Sequence, residues 1–64
     1  MPQEKPYISI YSTIEEIEND TPEFIEFDTL TKAVSFANFI NSSYVFPLVR
    51  VYNKRNEICE EFEN

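Results

Sequence analysis

The chain contains no histidine, no glycine and only one cysteine, and these absences remove most kinds of catalytic site. Without histidine there is no imidazole base at neutral pH and no catalytic triad. Without glycine the usual phosphate-binding loops and dinucleotide-binding motifs do not form. One cysteine permits no intrachain disulfide and supplies too few ligands for zinc. The sequence therefore predicts a protein that is not an enzyme and that binds no cofactor or metal.

Long apolar segments are also absent. The longest uncharged segment, residues 33–49, is interrupted by asparagines, serines and a proline, which does not suit a membrane span. The first six residues do not resemble a signal peptide, because no apolar run follows them. The lone Cys59 suits a reducing compartment. We therefore expect a cytoplasmic protein that does not bind membranes.

Basic residues are scarce. The chain has 5 Lys and Arg against 12 Asp and Glu, a net charge of −7 over 64 residues. Affinity for nucleic acid comes mainly from neutralising phosphates with Lys and Arg, so direct DNA or RNA binding is not expected. The natural electrostatic partner is a basic surface on a larger protein.

What the chain does have is enough apolar and aromatic residues to fold. Hydrophobic residues make up 42% of the sequence and aromatic residues 16%, whereas disordered acidic tails lack aromatics. Residues 1–64 are expected to form one acidic domain. Its core is expected to be thin, because a chain of this length buries only about 60% of the surface that its unfolded form exposes.

Residue patterns predict the element order β-β-α-β-β. Alternating apolar residues indicate strands, and helical spacing of apolar residues after Asp28 or Thr29, either of which can cap a helix, indicates the helix. The strands are expected at 7–11, 23–27, 44–52 and 57–62, with Ile58 and Phe62 of the last facing inward, and the helix is expected at 30–41. This is a small two-layer α+β domain, with one helix packed on a mainly antiparallel sheet.

Residues 12–19 support two interpretations. Thr13 and Glu16 can form a capping box that opens a short helix, with Ile14 and Ile17 on its inner side. Alternatively, the first strand continues into a long hairpin. The hairpin is preferred because a turn and another strand follow directly. Since glycine is absent, any left-handed turn position must be held by Asn or Asp.

Acidic residues are concentrated between residues 13 and 28, which contain seven carboxylates and no Lys or Arg. A second acidic run closes the chain. Such a surface is either a docking face for a basic protein or an ordinary solubilising face. Aromatic residues outside the core are enriched at protein interfaces, although a small domain also cannot bury all of its aromatic rings. The candidate partner-binding residues are Glu15, Glu16, Glu18, Asp20, Glu23, Phe24, Glu26 and Phe39.

Three of the five basic residues, Arg50, Lys54 and Arg55, lie close together near the last predicted hairpin. Pairing with Glu57 and Glu60 across that hairpin is preferred over a phosphate site.

Two functions fit these observations. The first is a non-enzymatic protein-binding module that docks a basic, nucleic-acid-binding surface of a larger protein through its acidic face. Small acidic, cysteine-poor domains with one sheet and one helix resemble inhibitors from phages and other mobile elements in size, charge and element order. The alternative is a small structural or accessory subunit, including a homodimer, that assembles through an exposed sheet edge or Phe39.

Overall fold

A computed structural model describes residues 5–43 and 45–63. The predicted β-β-α-β-β order and the α+β class are confirmed, with one additional short helix between the first two strands. Tyr44, where the third strand was expected to begin, lies outside the described residues. The elements are β1 Tyr7–Tyr11, α1 Ile14–Asn19, β2 Glu23–Glu26, α2 Leu30–Ser43, β3 Leu48–Tyr52 and β4 Ile58–Glu63.

The four strands form one antiparallel sheet in the order β2-β1-β3-β4. β1 and β3 are the central strands, and β2 and β4 are the edges. Ile8 lies opposite Val51, and Ile10 lies opposite Val49. Because alternate residues of a strand point to opposite faces, these four side chains share one face of the sheet.

The core lies between this face and α2. Ala33 and Ala37 are completely buried and Ile40 nearly so, whereas the rest of α2 is more exposed. Alanine has no bulk beyond its methyl group, so α2 approaches the central strands closely. Partly buried side chains pack around this contact, namely Phe27, Val34, Phe36, Phe46 and Phe62.

The preferred hairpin over residues 12–19 is wrong, and the short helix α1 forms instead. The Thr13 hydroxyl accepts a hydrogen bond from the Glu16 N–H at 3.2 Å, and the Glu16 carboxylate accepts one from the Ser12 N–H at 2.7 Å. At the other end, Asp20 adopts a left-handed backbone with φ of 54°. Local hydrogen bonds at both ends therefore fix a helix that the strand pattern did not predict.

Two apolar residues do not face inward as expected. Ile14 is 62% exposed at the start of α1, although Ile17 is half-buried. Ile58 is 52% exposed, because a β-bulge inserts one extra residue and leaves Ile58 opposite Tyr52. Phe62, beyond the bulge, does pack against the core as expected.

Turns and caps follow the residue types that the sequence offers. The two positive φ angles of the described chain belong to Asp20, at 54°, and Asn56, at 64°, as expected where glycine is absent. Thr29 caps α2 by accepting a hydrogen bond from the Lys32 N–H at 3.2 Å. Pro47 directly precedes β3, where its missing N–H disturbs no strand pairing.

The close approach of α2 predicts that Ala37→Leu will destabilise the domain. The larger side chain must push α2 away from the sheet, at a cost of about 1–3 kcal/mol. Urea unfolding measures this loss, with Ser35→Leu, on the exposed side of the same helix, as the control. Equal effects of the two variants would contradict the close packing.

Candidate partner-binding site

The sheet face opposite α2 is here called the open face, and among the described residues no helix lies across its centre. Cross-strand register arranges its residues in rows that run from β2 to β4. Two rows define the open face. The first contains Phe24, Ser9, Arg50 and Glu61, and the second, beside it, contains Glu26, Tyr7, Tyr52 and Ile58. A third row, at the α1 end of the sheet, contains the buried Tyr11 and Leu48.

Three aromatic rings pack together on the open face. Tyr7 stacks on Tyr52 with ring centroids 4.7 Å apart, and the Phe24 ring meets Tyr7 edge-on at 5.7 Å. The Tyr7 hydroxyl also donates a hydrogen bond to Asn56 at 3.0 Å. Burial, followed by the electrostatic effect of Tyr52, raises the pKa of Tyr7. The rings hold one another in place, while Phe24 remains 63% exposed.

Arg50 is the cation at the centre of the open face. Its Nε donates a hydrogen bond to the Glu61 carboxylate at 2.8 Å, and its guanidinium lies 5.8 Å from the centre of the Tyr11 ring. The hydrogen bond to Glu61 is the main cause of the raised pKa of Arg50. A single guanidinium thus contacts a ring and a carboxylate together.

The predicted pairing of the basic cluster with Glu57 and Glu60 is wrong. Arg50 pairs with Glu61, its direct neighbour across the strands, whereas Glu60 lies opposite Val51 on the α2 side. The Glu57 carboxylate instead accepts a hydrogen bond from the Asn53 side chain at 2.9 Å.

The other two cations of the cluster lie in the β3–β4 turn. Within residues 5–43 and 45–63, neither Lys54 nor Arg55 forms an ion pair. Both line an open cavity of about 460 Å³, together with Asp28, Thr29 and Glu57. Anionic and cationic side chains both contribute to this cavity, and none of the candidate partner-binding residues lines it.

Tyr11 connects α1 to the sheet. Its hydroxyl donates a hydrogen bond of 2.8 Å to the Asp20 carboxylate at the C-terminal end of α1. Burial first, and then the hydrogen bond and charge of Asp20, raise the pKa of Tyr11 to about 12. The acidic helix is therefore attached to the sheet next to the open face.

Ser9 is fully buried within the open face, although neighbouring residues on the same face are exposed. Its hydroxyl has no hydrogen-bond partner among the described residues. In its row Ser9 lies between Phe24 and Arg50, so the small side chain is closed over by larger neighbours. Its small size, rather than its hydroxyl, suits this position.

All but one of the predicted partner-binding residues lie on two consecutive elements, α1 with its C-cap and β2. Glu15, Glu16 and Glu18 lie on α1, and Asp20 ends α1. Glu23, Phe24 and Glu26 lie on β2, where Glu23 faces the α2 side and the other two face the open face. Phe39 does not join them, because it lies on α2 in the other layer, where it is 60% exposed. The second acidic run lies on β4, at the opposite edge of the sheet.

The sequence analysis named Phe24 as an aromatic residue outside the core but missed its packing with Tyr7 and Tyr52 on the open face. The signal is the alternation in β1, because placing Ile8 and Ile10 in the core also places Tyr7, Ser9 and Tyr11 on the opposite face. Strand pairing, which a single sequence does not reveal, adds Tyr52, Phe24 and Arg50 beside them.

Comparisons with protein-family models, with curated proteins and with solved structures found no match to this chain. The class of protein is thus defined by its fold, a small α+β domain with one sheet face left open. Over the described residues, no helix is long and apolar enough to cross a membrane. In the same part of the chain, no three Cys, Asp or Glu side chains are grouped to hold a metal ion.

The unpaired hydroxyl predicts that Ser9→Ala will not destabilise the protein. A buried hydroxyl without a partner costs about 1–3 kcal/mol, and alanine removes this cost with almost no loss of packing. Urea unfolding should show equal or higher stability, and Ser12→Ala, at an exposed site, serves as a neutral control. A clear loss of stability would show that the Ser9 hydroxyl has a partner.

The raised pKa of Tyr11 predicts a loss of stability at alkaline pH. Between pH 10 and 12 the tyrosine ionises in the unfolded chain but keeps its proton in the fold, so rising pH favours unfolding. Below pH 10 this stabilisation is fully present. The free energy of unfolding, measured from pH 10 to pH 12, should fall less steeply for Tyr11→Phe than for the unaltered protein. Equal slopes for the two proteins would contradict the prediction.

Proposed function

We propose that this chain is a non-enzymatic protein-binding module that docks on a basic surface of a larger protein. The observation that supports this most strongly is the run of acidic side chains along α1 and β2, of which β2 also carries the exposed ring of Phe24. Here this surface is called the acidic edge, and it consists of Glu15, Glu16, Glu18, Asp20, Glu23, Phe24 and Glu26.

The carboxylates of the acidic edge are not neutralised within the fold. No ion pair of the described chain involves them, and the nearest one in sequence joins Lys5 to Asp28 at 3.6 Å. Like charges held close together oppose folding through mutual repulsion. A partner with Lys and Arg side chains relieves this repulsion, and electrostatic complementarity of that kind accelerates association.

In its specific form, the proposal is that the module inhibits a nucleic-acid-handling protein by occupying its basic groove. Clustered carboxylates present the same sign of charge as a phosphate backbone, so they compete for the same Lys and Arg side chains. Binding that is lost when nucleic acid is added in excess supports this form, and binding that persists contradicts it.

A second candidate function is an assembly subunit that associates through α2. The observation in its favour is Phe39, which is 60% exposed in the helix layer, away from the acidic edge. Measurement of the mass in solution distinguishes the assembly subunit from the docking module. A tight dimer that is abolished by Phe39→Leu supports the assembly subunit.

The proposed function predicts a site-dependent effect of removing two charges. Tagged protein captures its partner from a lysate of its native cells, and the partner is then purified for binding measurements at low and high salt. Glu15→Gln with Glu18→Gln should weaken binding by about 2-fold to 30-fold at low salt, because each exposed ion pair contributes about 0.2–1 kcal/mol. High salt should reduce this difference.

The matched control is Glu60→Gln with Glu63→Gln, which removes the same charge from the opposite edge of the sheet. This control should change binding much less. Equal weakening by both pairs would mean that only the net charge matters, and salt-resistant capture unaffected by either pair would contradict docking through the acidic edge.

A further inference from the structure

The open face presents an aromatic ring that is both exposed and held in place. Phe24 is 63% exposed, yet it contacts Tyr7 edge-on at 5.7 Å, and Tyr7 is itself stacked on Tyr52 at 4.7 Å. A side chain that is already ordered loses little conformational entropy when a partner binds. Phe24 is therefore suited to be a contact for a flat group.

A carboxylate accompanies this ring on the same face. Glu26 follows Phe24 by two residues on β2, so the two side chains point the same way, about 7 Å apart along the strand. Within the described chain Glu26 has no ion-pair partner. Among residues 5–43 and 45–63 the outer edge of β2 adjoins no other strand, and both side chains are exposed to another molecule.

The molecule already contains one cation in a similar environment. The Arg50 guanidinium lies 5.8 Å from the centre of the Tyr11 ring, and its Nε donates a hydrogen bond of 2.8 Å to the Glu61 carboxylate. A planar guanidinium stacks on an aromatic ring and donates hydrogen bonds to a carboxylate at the same time. The pair of Phe24 and Glu26 offers the same two groups without a cation.

We propose that the open face binds an arginine of the partner's basic segment, with its guanidinium stacked on Phe24 and hydrogen-bonded to Glu26. This inference rests on the proposed function and names the group that the partner supplies. Charge complementarity selects a basic protein segment as the occupant, because Glu26 and Glu61 outnumber Arg50 on this face. Phosphates are repelled by the same carboxylates, and a second copy would bring its own carboxylates against them.

The test compares an oligoarginine peptide with an oligolysine peptide of equal length, each titrated into the whole protein at low salt. NMR signals of the isotope-labelled protein report affinity and location. Oligoarginine should bind about 2-fold to 5-fold more tightly, because it adds stacking to simple charge attraction. Its binding should shift the signals of Phe24, Glu26 and Tyr7.

Two variants and a matched control test the site itself. Phe24→Leu keeps an apolar side chain but removes the ring, and it should abolish the preference for oligoarginine. Glu26→Gln should weaken oligoarginine binding as well. Phe39→Leu makes the same change at a ring of similar exposure in the helix layer, 60% against 63%, and should leave the preference intact. The free spectra show whether each variant is folded.

The outcomes separate this inference from the proposed function. Equal affinity for both peptides, with shifts confined to α1, would overturn the arginine site while leaving docking through the acidic edge in place. Binding of neither peptide would overturn both. Shifts of Phe24 and Tyr7 on dilution of the free protein would show that a second copy occupies the open face, which also overturns the arginine site.

Discussion

The contact between α2 and the two central strands is the constraint on which the rest of the structure depends. Ala33 and Ala37 bring the helix close enough to bury Ile8 and Val51 completely, and this contact accounts for most of the core. The described part of this 64-residue chain contains one long helix, which covers one face of the sheet. The other face must therefore be stabilised by side chains that lie flat across it, since no second layer is present over its centre.

The open face meets this requirement with aromatic and ionic contacts rather than aliphatic packing. Tyr7 and Tyr52 shield each other by stacking, and Arg50 covers part of Tyr11 while pairing with Glu61. Such contacts leave polar and aromatic edges accessible to other molecules, which an aliphatic core does not. The same side chains that complete the fold are thus also the ones available to a partner, so stability and binding are coupled on this face.

The sequence predicts the elements that have a strong internal period, and it predicts them well. The apolar spacing of α2 and the alternation of β1 and β2 predict the α+β class and the positions of these three elements in the chain. At residues 12–19 the preferred hairpin is wrong and the alternative capping box of Thr13 and Glu16 forms, because local hydrogen bonds decide there. The prediction for Ile58 is wrong because strand register decides its direction beside the bulge. The acidic edge follows from neighbouring positions in the chain, but the grouping of Phe24 with Tyr7 depends on pairing between strands, which one sequence does not encode visibly.

The two outer strands have a consequence for colloidal behaviour. Edge strands expose unpaired N–H and C=O groups, which promote edge-to-edge pairing with a strand of another molecule and growth of fibrils. Here β2 has only four residues and follows Pro22, while β4 carries a bulge and several glutamates. Short length, irregular backbone and repelling charge all hinder the addition of a like strand. A protein with a thin core and a high aromatic content thereby gains protection from amyloid-like aggregation at the very edges where its acidic residues lie.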